Sequence, residues 1–199
     1  AKCDGTADAV QLNAAIVTQN AAGGGVVRAV GGTFVTEAEI DLLDKVTLVI
    51  DAGATIEKNF NGPAIRSLGT SGTHKSNIGI TGDGTITRNA ADTYAQPLIY
   101  LEYTDDSFID GTTVDGSYGD GIEIVNCDDV KLGGTLKIKN CLGTGLKKIQ
   151  STVIIASSIA IAACGIGYEC WPSTSADKID RGDCESATSP MVAGESTPV

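Results

Sequence analysis

The stretch that decides the fold runs from residue 45 to residue 164 and begins with the apolar run Lys45-Val46-Thr47-Leu48-Val49-Ile50. Similar short runs recur after it. Aligned on Val46, Ile78, Phe108, Val130 and Val153, they follow one another at steps of 32, 30, 22 and 23 residues. Self-similarity at a period of about 20 to 50 residues is typical of a solenoid, in which each repeat packs on its neighbours.

A second series of apolar runs lies between the members of the first. Gly, Asp and Asn separate the runs, as expected for turns between strands. The repeating unit is therefore a set of strands and turns, and the sequence predicts an all-β solenoid, a β-helix. The second series comprises residues 64–68, 98–101, 121–125, 145–149 and 165–168.

Composition limits both the size of the fold and the class of its ligands. A chain of 199 residues with 42% hydrophobic residues is expected to form one domain with a core. The net charge of −11 opposes binding to nucleic acid and to anionic lipid, and it disfavours polyanionic glycans. Since no apolar run reaches the ~18 residues of a membrane span, we predict no membrane insertion.

The six cysteines favour an oxidising, extracellular setting. Their spacing lacks paired C-x-x-C motifs, which argues against a zinc site. Cys141 and Cys164 are 23 residues apart, one late coil, so they are expected on adjacent rungs, where they form either a disulfide or a stack of two free thiols. Cys170 and Cys184 are the candidates for a bond that closes the C-terminal loop.

Three segments are predicted along the chain. Residues 1–25 contain a capping helix over residues 4–21, which Asp4 or Thr6 would cap and Gly23 to Gly25 would end. The β-helix occupies residues 26–170, and an irregular tail or linker occupies residues 171–199. Polar stretches at residues 67–76 and 89–96 are read as loops that leave the helix, and such insertions tend to gather on the binding face.

Several N-terminal motifs resemble those of pectin-lyase-like proteins. They are DGTADAVQLNAAI at residues 4–16, GGGVV at 23–27, GTF at 32–34, GATI at 53–56 and GDGTI at 82–86. The resemblance is specific over residues 3–88 and generic over residues 89–170. It implies a single-stranded right-handed parallel β-helix. Because the group includes phage tailspikes and fibres, polysaccharide lyases, epimerases and glycoside hydrolases, it indicates fold better than activity.

Acidic residues cluster on the middle coils. Asp115, Asp120 and Glu123 are the best candidates for an acid and base pair, because carboxylates at matching points of neighbouring coils would converge, as glycan hydrolysis requires. Asp128 and Asp129 are weak candidates for a Ca²⁺ site; no other cofactor is expected. The alternative is that these aspartates simply stabilise β-turns.

Tyrosines fall on the same coils. Tyr100, Tyr103 and Tyr118 are candidates to stack on sugar rings, and ordinary packing at the rim is the alternative. The Gly-His-Gly and Arg-x-Lys motifs of polygalacturonase-like proteins do not occur in the sequence.

The preferred interpretation is therefore a non-catalytic structural or adhesion module on a virion, fibre or cell surface, with a polysaccharide as its candidate ligand. By analogy it forms a homo-oligomer, such as a trimer, or part of a larger particle. A carbohydrate-active enzyme, either a lyase or a hydrolase, is the alternative. A third interpretation is an N-terminal fragment of a longer protein.

Overall fold

The computed structural model describes residues 8–155, 159–171 and 192–193. One helix, α1 (Asp8–Ala21), is followed by strands numbered in chain order, and the strands named below pair in parallel with strands of the neighbouring coils. The chain winds through three sheets in turn, six times over. The fold is thus a right-handed parallel β-helix, as predicted.

The three sheets and a small fourth ladder have the following members. Sheet A contains β1 (Gly25–Ala29), β4 (Val46–Ile50), β8 (Gly79–Thr81), β12 (Phe108–Asp110), β15 (Val130–Gly133) and β18 (Val153–Ile155). Sheet B contains β2 (Gly32–Thr36), β5 (Ala54–Lys58), β9 (Thr85–Arg88), β13 (Thr113–Asp115), β16 (Lys137–Lys139) and β19 (Ala160–Ala162). Sheet C contains β3 (Ile40–Asp41), β6 (Ile65–Leu68), β10 (Ile99–Glu102), β14 (Ile122–Val125), β17 (Thr144–Ile149), β20 (Ile166–Trp171) and β21 (Val192–Ala193). The fourth ladder pairs β7 (Lys75–Ser76) with β11 (Thr104–Asp105).

The two predicted series of strands correspond to sheets A and C, and sheet B was not recognised as a third series. One predicted anchor is wrong by one residue, because Phe108 pairs with Gly79 and Lys131. Ile109, not Phe108, takes the buried position beside Ile80. The steps on either side of β12 are therefore 29 and 23 residues.

The core is the lumen of the helix, filled by columns of aliphatic side chains in register. In sheet C the column includes Ile65, Ile99 and Ile122, each 0% exposed. Alternation along each strand then turns the next residue outwards, as at Glu123 between Ile122 and Ile124. Burial of each such side chain contributes roughly 1.5–3 kcal/mol to the free energy of folding.

The corners between sheets repeat a left-handed backbone conformation. Asn77, Asp106 and Asp129 have φ values of 57°, 48° and 55° at the corner before sheet A, and Tyr103 and Asn126 have 47° and 51° at the corner after sheet C. Asn and Asp tolerate this region better than most residues, because their short polar side chains bond to the local backbone. The corner geometry therefore accounts for Asp106 and Asp129 among the acidic residues in the middle coils.

Helix α1 covers the first coil. Leu12 and Ile16 are buried, and Ala15 is partly buried against the core. The side chain of Asn13 donates to the carbonyl of Glu39 (2.8 Å) and accepts from the backbone N–H of Asp41 (2.8 Å). These bonds satisfy the open edge of β3. The predicted caps, at residues 4 and 6, lie outside the described residues.

Ladders of hydroxyl and thiol groups line the inside of two corners. Thr104, Cys127 and Ser151 occupy equivalent places in successive coils, and each donates to the carbonyl two residues before it, at 3.1, 3.1 and 2.8 Å. The backbone N–H groups of Thr104 and Cys127 in turn donate to the sulfur or oxygen of the next coil. Burial, the largest cause, raises the pKa of the Cys127 thiol to about 12.

The second ladder includes Cys141 and Cys164, for which the sequence left a disulfide and a stack of two free thiols as alternatives. The two residues lie on adjacent coils as expected, and both are free, buried thiols in this structure, so the stack is present and the candidate disulfide is not. They donate to the carbonyls of Lys139 and Ala162. The interaction between the two neighbouring thiols raises the pKa of Cys141 and lowers that of Cys164. The predicted bond between Cys170 and Cys184 lies outside the described side chains.

The segment that follows the β-helix is described only in part. Most of the predicted tail, residues 172–191 and 194–199, lies outside the described residues, although β21 pairs with β20 at the end of sheet C. Within the described part of the chain, no helix has the length and apolarity needed to cross a membrane.

Candidate functional site

A groove of about 380 Å³ crosses the outer face of sheet C. Its floor comes from three successive strands, β6, β10 and β14, and its sides come from the loops that enter and leave them. A volume of this size lies within the range of small-molecule sites. The lining residues are Pro63, Arg66, Leu68, Gln96, Pro97, Tyr100, Glu102 and Glu123.

The loop at residues 89–98 forms one side of the groove, and a buried ion pair fixes it. Lys58, at the end of β5, pairs with Asp92 in the loop, and their side chains are 1% and 0% exposed. The guanidinium of Arg88 donates to the carbonyls of Asp92 and Gly116, both at 2.6 Å. The loop that carries Gln96 and Pro97 is thus held in one conformation before any ligand arrives.

The floor is one column of outward-facing side chains. Strand register places Arg66, Tyr100, Glu123 and Lys147 side by side on β6, β10, β14 and β17. Neighbouring strands lie about 4.8 Å apart, so the column repeats at that spacing along the helix axis. A ligand that follows the column would meet a cation, an aromatic ring, an anion and a second cation in turn.

Tyr100 and Glu102 form the centre of the groove. The Tyr100 hydroxyl donates to Glu102 Oε2 at 3.2 Å, and both side chains are half-buried. Burial, followed by the charge of Glu102 and its hydrogen bond, raises the pKa of the Tyr100 phenol above its ordinary value. The hydroxyl therefore stays protonated and acts as a donor across the physiological range.

Two of the three predicted catalytic acids lie together, and the third is elsewhere. Lys147 Nζ lies 3.4 Å from Asp120 Oδ2 and 3.2 Å from Glu123 Oε1. Asp115 lies at the end of β13 in sheet B, where Lys139 pairs with it at 3.2 Å and Asn140 donates to it at 2.8 Å. Only Glu123 of the three lines the groove.

The carboxylates also change the charge state of Lys147. Burial by itself would lower the pKa of Lys147, but the charges of Glu123 and Asp120 outweigh it and raise the pKa. Lys147 is therefore protonated and positively charged at neutral pH. It is poorly suited to abstract a proton as a neutral base at neutral pH.

Of the three tyrosines predicted to stack on sugars, only one lines the groove. Tyr100 lines the groove. Tyr103 lies at the corner after sheet C, where its ring centroid is 5.2 Å from that of His74. Tyr118 is 38% exposed. The guanidinium of Arg88 lies over its ring, with Cζ of Arg88 5.5 Å from the ring centroid of Tyr118. Tyr103 and Tyr118 are therefore not part of the groove lining.

The weak Ca²⁺ candidates are corner residues. Asp128 and Asp129 are both exposed, and Asp128 accepts from the Thr152 hydroxyl at 3.4 Å. Within the described ranges, no group of three or more His, Cys, Asp or Glu side chains is arranged to hold a metal ion. The left-handed backbone of Asp129 gives a structural reason for an aspartate there.

The sequence singles out Tyr100 and Glu123 but not Arg66 or the loop residues of the groove, although one signal was available for the outward-facing column. Arg66, Tyr100, Glu123 and Lys147 each follow the first inward-facing Ile or Leu of their strand. Alignment of the second series on those aliphatic residues would have placed all four in one column. The side formed by Pro63, Gln96 and Pro97 had no comparable signal, because it belongs to loops without a repeat.

Comparison with known proteins shows the fold. No family model matches the chain, and no curated protein matches it. A solved structure from Parabacteroides merdae ATCC 43184, provisionally named a glycosyl hydrolase, is similar with a TM-score of 0.61 and 20% identity over 85% of this chain and 87% of that one. ORF18 of Geobacillus virus E2 is similar with a TM-score of 0.69 and 18% identity over 89% of this chain and 38% of that one.

A third similar structure is the A-module of the mannuronan C-5 epimerase AlgE4 from Azotobacter vinelandii. Its TM-score is 0.42, with 16% identity over 85% of this chain and 72% of that one. The sheet topology and the first two similarities agree with the motifs at the N-terminus. The chain therefore has the fold of the pectin-lyase-like right-handed parallel β-helix proteins.

Proposed function

We propose that this chain is a non-catalytic β-helix module that binds a glycan in the groove on sheet C. The observation that carries the proposal is the position of Tyr100, which lies on the floor of a preformed groove between Glu102 and Glu123. Sugars are bound by aromatic rings that face their C–H groups and by fixed polar groups that bond their hydroxyls. The groove offers both kinds of contact.

The rigidity of the side wall supports binding without closure. Because the Lys58–Asp92 pair and Arg88 already hold the loop at residues 89–98, little conformational entropy is lost when a ligand is bound. The column repeat of about 4.8 Å is close to the length of one sugar unit in an extended chain. A linear oligosaccharide that lies along the helix axis would present successive units to Arg66, Tyr100 and Glu123.

Existing ion pairs favour binding over catalysis. Glu123 and Asp120 share Lys147, and Asp115 lies on another sheet. The second candidate function, glycan cleavage, has one observation in its favour, namely that two carboxylates, Glu102 and Glu123, line the same groove. Glycosidases use such a pair as acid and base or nucleophile.

Binding is tested with a panel of neutral oligosaccharides by isothermal titration calorimetry. Tyr100→Ala is expected to abolish binding, because it removes the ring from the floor of the groove. Tyr103→Ala is the matched control, since it removes a tyrosine that contacts His74 outside the lining. Equal loss in both variants, or binding that survives Tyr100→Ala, would contradict the assignment of the groove.

Catalysis is tested by incubation of the chain with the same glycans, followed by assays for reducing ends and unsaturated products. No product is expected from the native chain. Turnover that disappears in both Glu102→Gln and Glu123→Gln, with thermal stability unchanged, would replace the binding module with the enzyme.

We also propose display on a virion or outside the cell, as a homo-oligomer or as part of a larger particle. The similarity in fold to a viral protein, of which this chain covers 38%, supports this setting. Light scattering after gel filtration measures the mass in solution. A monomer at all concentrations would contradict self-association of the chain alone.

A further inference from the structure

We infer that the groove selects glycans that carry a free amine, such as glucosamine units, over N-acetylated or acidic sugars. This inference rests on the proposed function and adds the chemical class of the ligand. It comes from the charges that line the groove and from the partners that already neutralise some of them.

The only cation in the groove lining has its charge offset by carboxylates outside the groove. Arg66 pairs with Asp41, to which its Nη2 donates at 3.3 Å, and lies 3.3 Å from Glu39. The hydrogen bond from Arg66 to Asp41 raises the pKa of the guanidinium. Arg66 therefore has no excess positive charge to offer to an acidic sugar.

The anions are not equally compensated. Glu123 has Lys147 at 3.2 Å, although Lys147 is shared with Asp120. Glu102 accepts a hydrogen bond from the neutral hydroxyl of Tyr100 at 3.2 Å. Within the described part of the chain, Glu102 forms no ion pair. Glu102 is thus a half-buried carboxylate inside a concave site, and no described residue supplies its counter-charge.

The whole charge set of the site is strongly negative. Two cations, Arg66 and Lys147, are opposed by five carboxylates among the groove lining and its ion-pair partners, namely Glu39, Asp41, Glu102, Asp120 and Glu123. In a partly desolvated groove, a like-charged ligand is repelled and an opposite charge is attracted more strongly than in bulk water.

The ligand chemistry follows from this charge and from the tyrosine beside it. An ammonium group gives Glu102 the counter-ion that it lacks, in a charge-assisted hydrogen bond. The sugar ring that bears the amine can then lie against Tyr100, whose ring face also attracts cations. An N-acetyl group removes the charge, and a uronate reverses it.

The test compares three oligosaccharides of equal length by calorimetry at low ionic strength and pH 6, where a sugar amine is protonated. They are a fully deacetylated glucosamine tetramer, the N-acetylated tetramer and a galacturonate tetramer. We expect the deacetylated tetramer to bind about tenfold more tightly than the acetylated one, the size of a charge-assisted hydrogen bond, and the galacturonate not to bind. The preference should weaken with added salt.

One variant and its control test whether Glu102 causes the preference for the amine. Glu102→Gln keeps the shape and an acceptor for the Tyr100 hydroxyl, and it should remove the tenfold preference while binding of the acetylated tetramer persists. Asp115→Asn is the matched control, because it removes a carboxylate on sheet B, outside the groove, and it should leave the preference unchanged.

The outcomes separate this inference from the proposed function. If the acetylated tetramer binds as tightly as the deacetylated one and Tyr100→Ala abolishes both, the groove binds glycans but the amine preference is wrong. If neither tetramer binds, and the neutral panel fails as well, both the inference and the proposed function are wrong. Tighter binding of oligolysine than of the glucosamine tetramer, with the same dependence on Glu102, would assign the groove to basic peptides and overturn the inference.

Discussion

The corner between sheets B and C is built in two ways along the same molecule. In the third coil, residues 89–98 connect β9 to β10, whereas in the fifth coil residues 140–143 connect β16 to β17. The short corner is held by the ladder of Cys141 and Cys164, and the long one by the buried pair Lys58–Asp92. The repeat thus provides a uniform rod, and the departure from the repeat forms the groove.

The largest expected effect comes from the long corner. Asp92→Ala leaves the Lys58 ammonium buried without its partner, which should lower the free energy of unfolding by about 3–5 kcal/mol in urea denaturation. The double variant Lys58→Met/Asp92→Leu removes both charges and should recover most of that loss, because an apolar pair of similar volume needs no compensation.

The matched control for that experiment is the exposed pair of sheet B. Lys139 and Asp115 have side chains that are 43% and 29% exposed, so Lys139→Met should cost at most about 1 kcal/mol. Comparable losses in Asp92→Ala and Lys139→Met would show that the buried pair does not fix the loop.

A smaller effect is expected at the short corner. Cys141→Ser keeps a group that donates to the carbonyl of Lys139, as the hydroxyl of Ser151 does for Ile149 in the other ladder. Cys141→Ala removes the donor. We expect Cys141→Ala to be less stable than Cys141→Ser by about 0.5–1.5 kcal/mol in the same measurement. Equal stabilities would mean that sulfur packing alone holds the corner.

The smallest effect concerns the groove itself and appears only at alkaline pH. The folded-state pKa of Tyr100 lies above that of an unfolded tyrosine, so its contribution to stability is complete below about pH 10 and is lost as pH rises towards the folded pKa. Tyr100→Phe should therefore flatten the alkaline fall in stability, and it should remove the most alkaline part of the tyrosine absorbance titration.

The variant Glu102→Gln tests the cause of the raised pKa of Tyr100 in the same absorbance titration. It removes the charge that, after burial, does most to raise the pKa of Tyr100, so the phenol should ionise at a lower pH than in the native chain. An unchanged titration in Glu102→Gln would contradict the contact between the two side chains.

The rod could be predicted from the sequence and most of the groove could not, for one physical reason. Inward-facing residues such as Ile65, Ile99 and Ile122 must recur in every coil, because each fills the same lumen, and recurrence is visible in a sequence. Where two adjacent residues are both apolar, as at Phe108 and Ile109, the pattern does not specify which one faces inwards, and the predicted register slipped by one.

Sheet B and the loops show the limits of that signal. The strand at Lys137–Lys139 has one buried residue between two lysines, which is too short to be recognised as an apolar run. Lys58 and Asp92 are 34 residues apart and have no repeat around them, so their contact could be found only in three dimensions. Glu102 is one of many acids in the sequence, and its role depends on Tyr100 and on the groove around it, which only the structure shows.

The side chains of helix α1 close the edge of the rod at its N-terminal end. Asn13 accepts from the backbone N–H of Asp41 and donates to the carbonyl of Glu39, and Asn20 donates to the carbonyl of Asp44 at 3.0 Å. A strand from another molecule cannot pair there without displacing these amides. Extra coils, whether gained by duplication or added by design, would therefore have to be inserted between existing coils rather than stacked beyond β3.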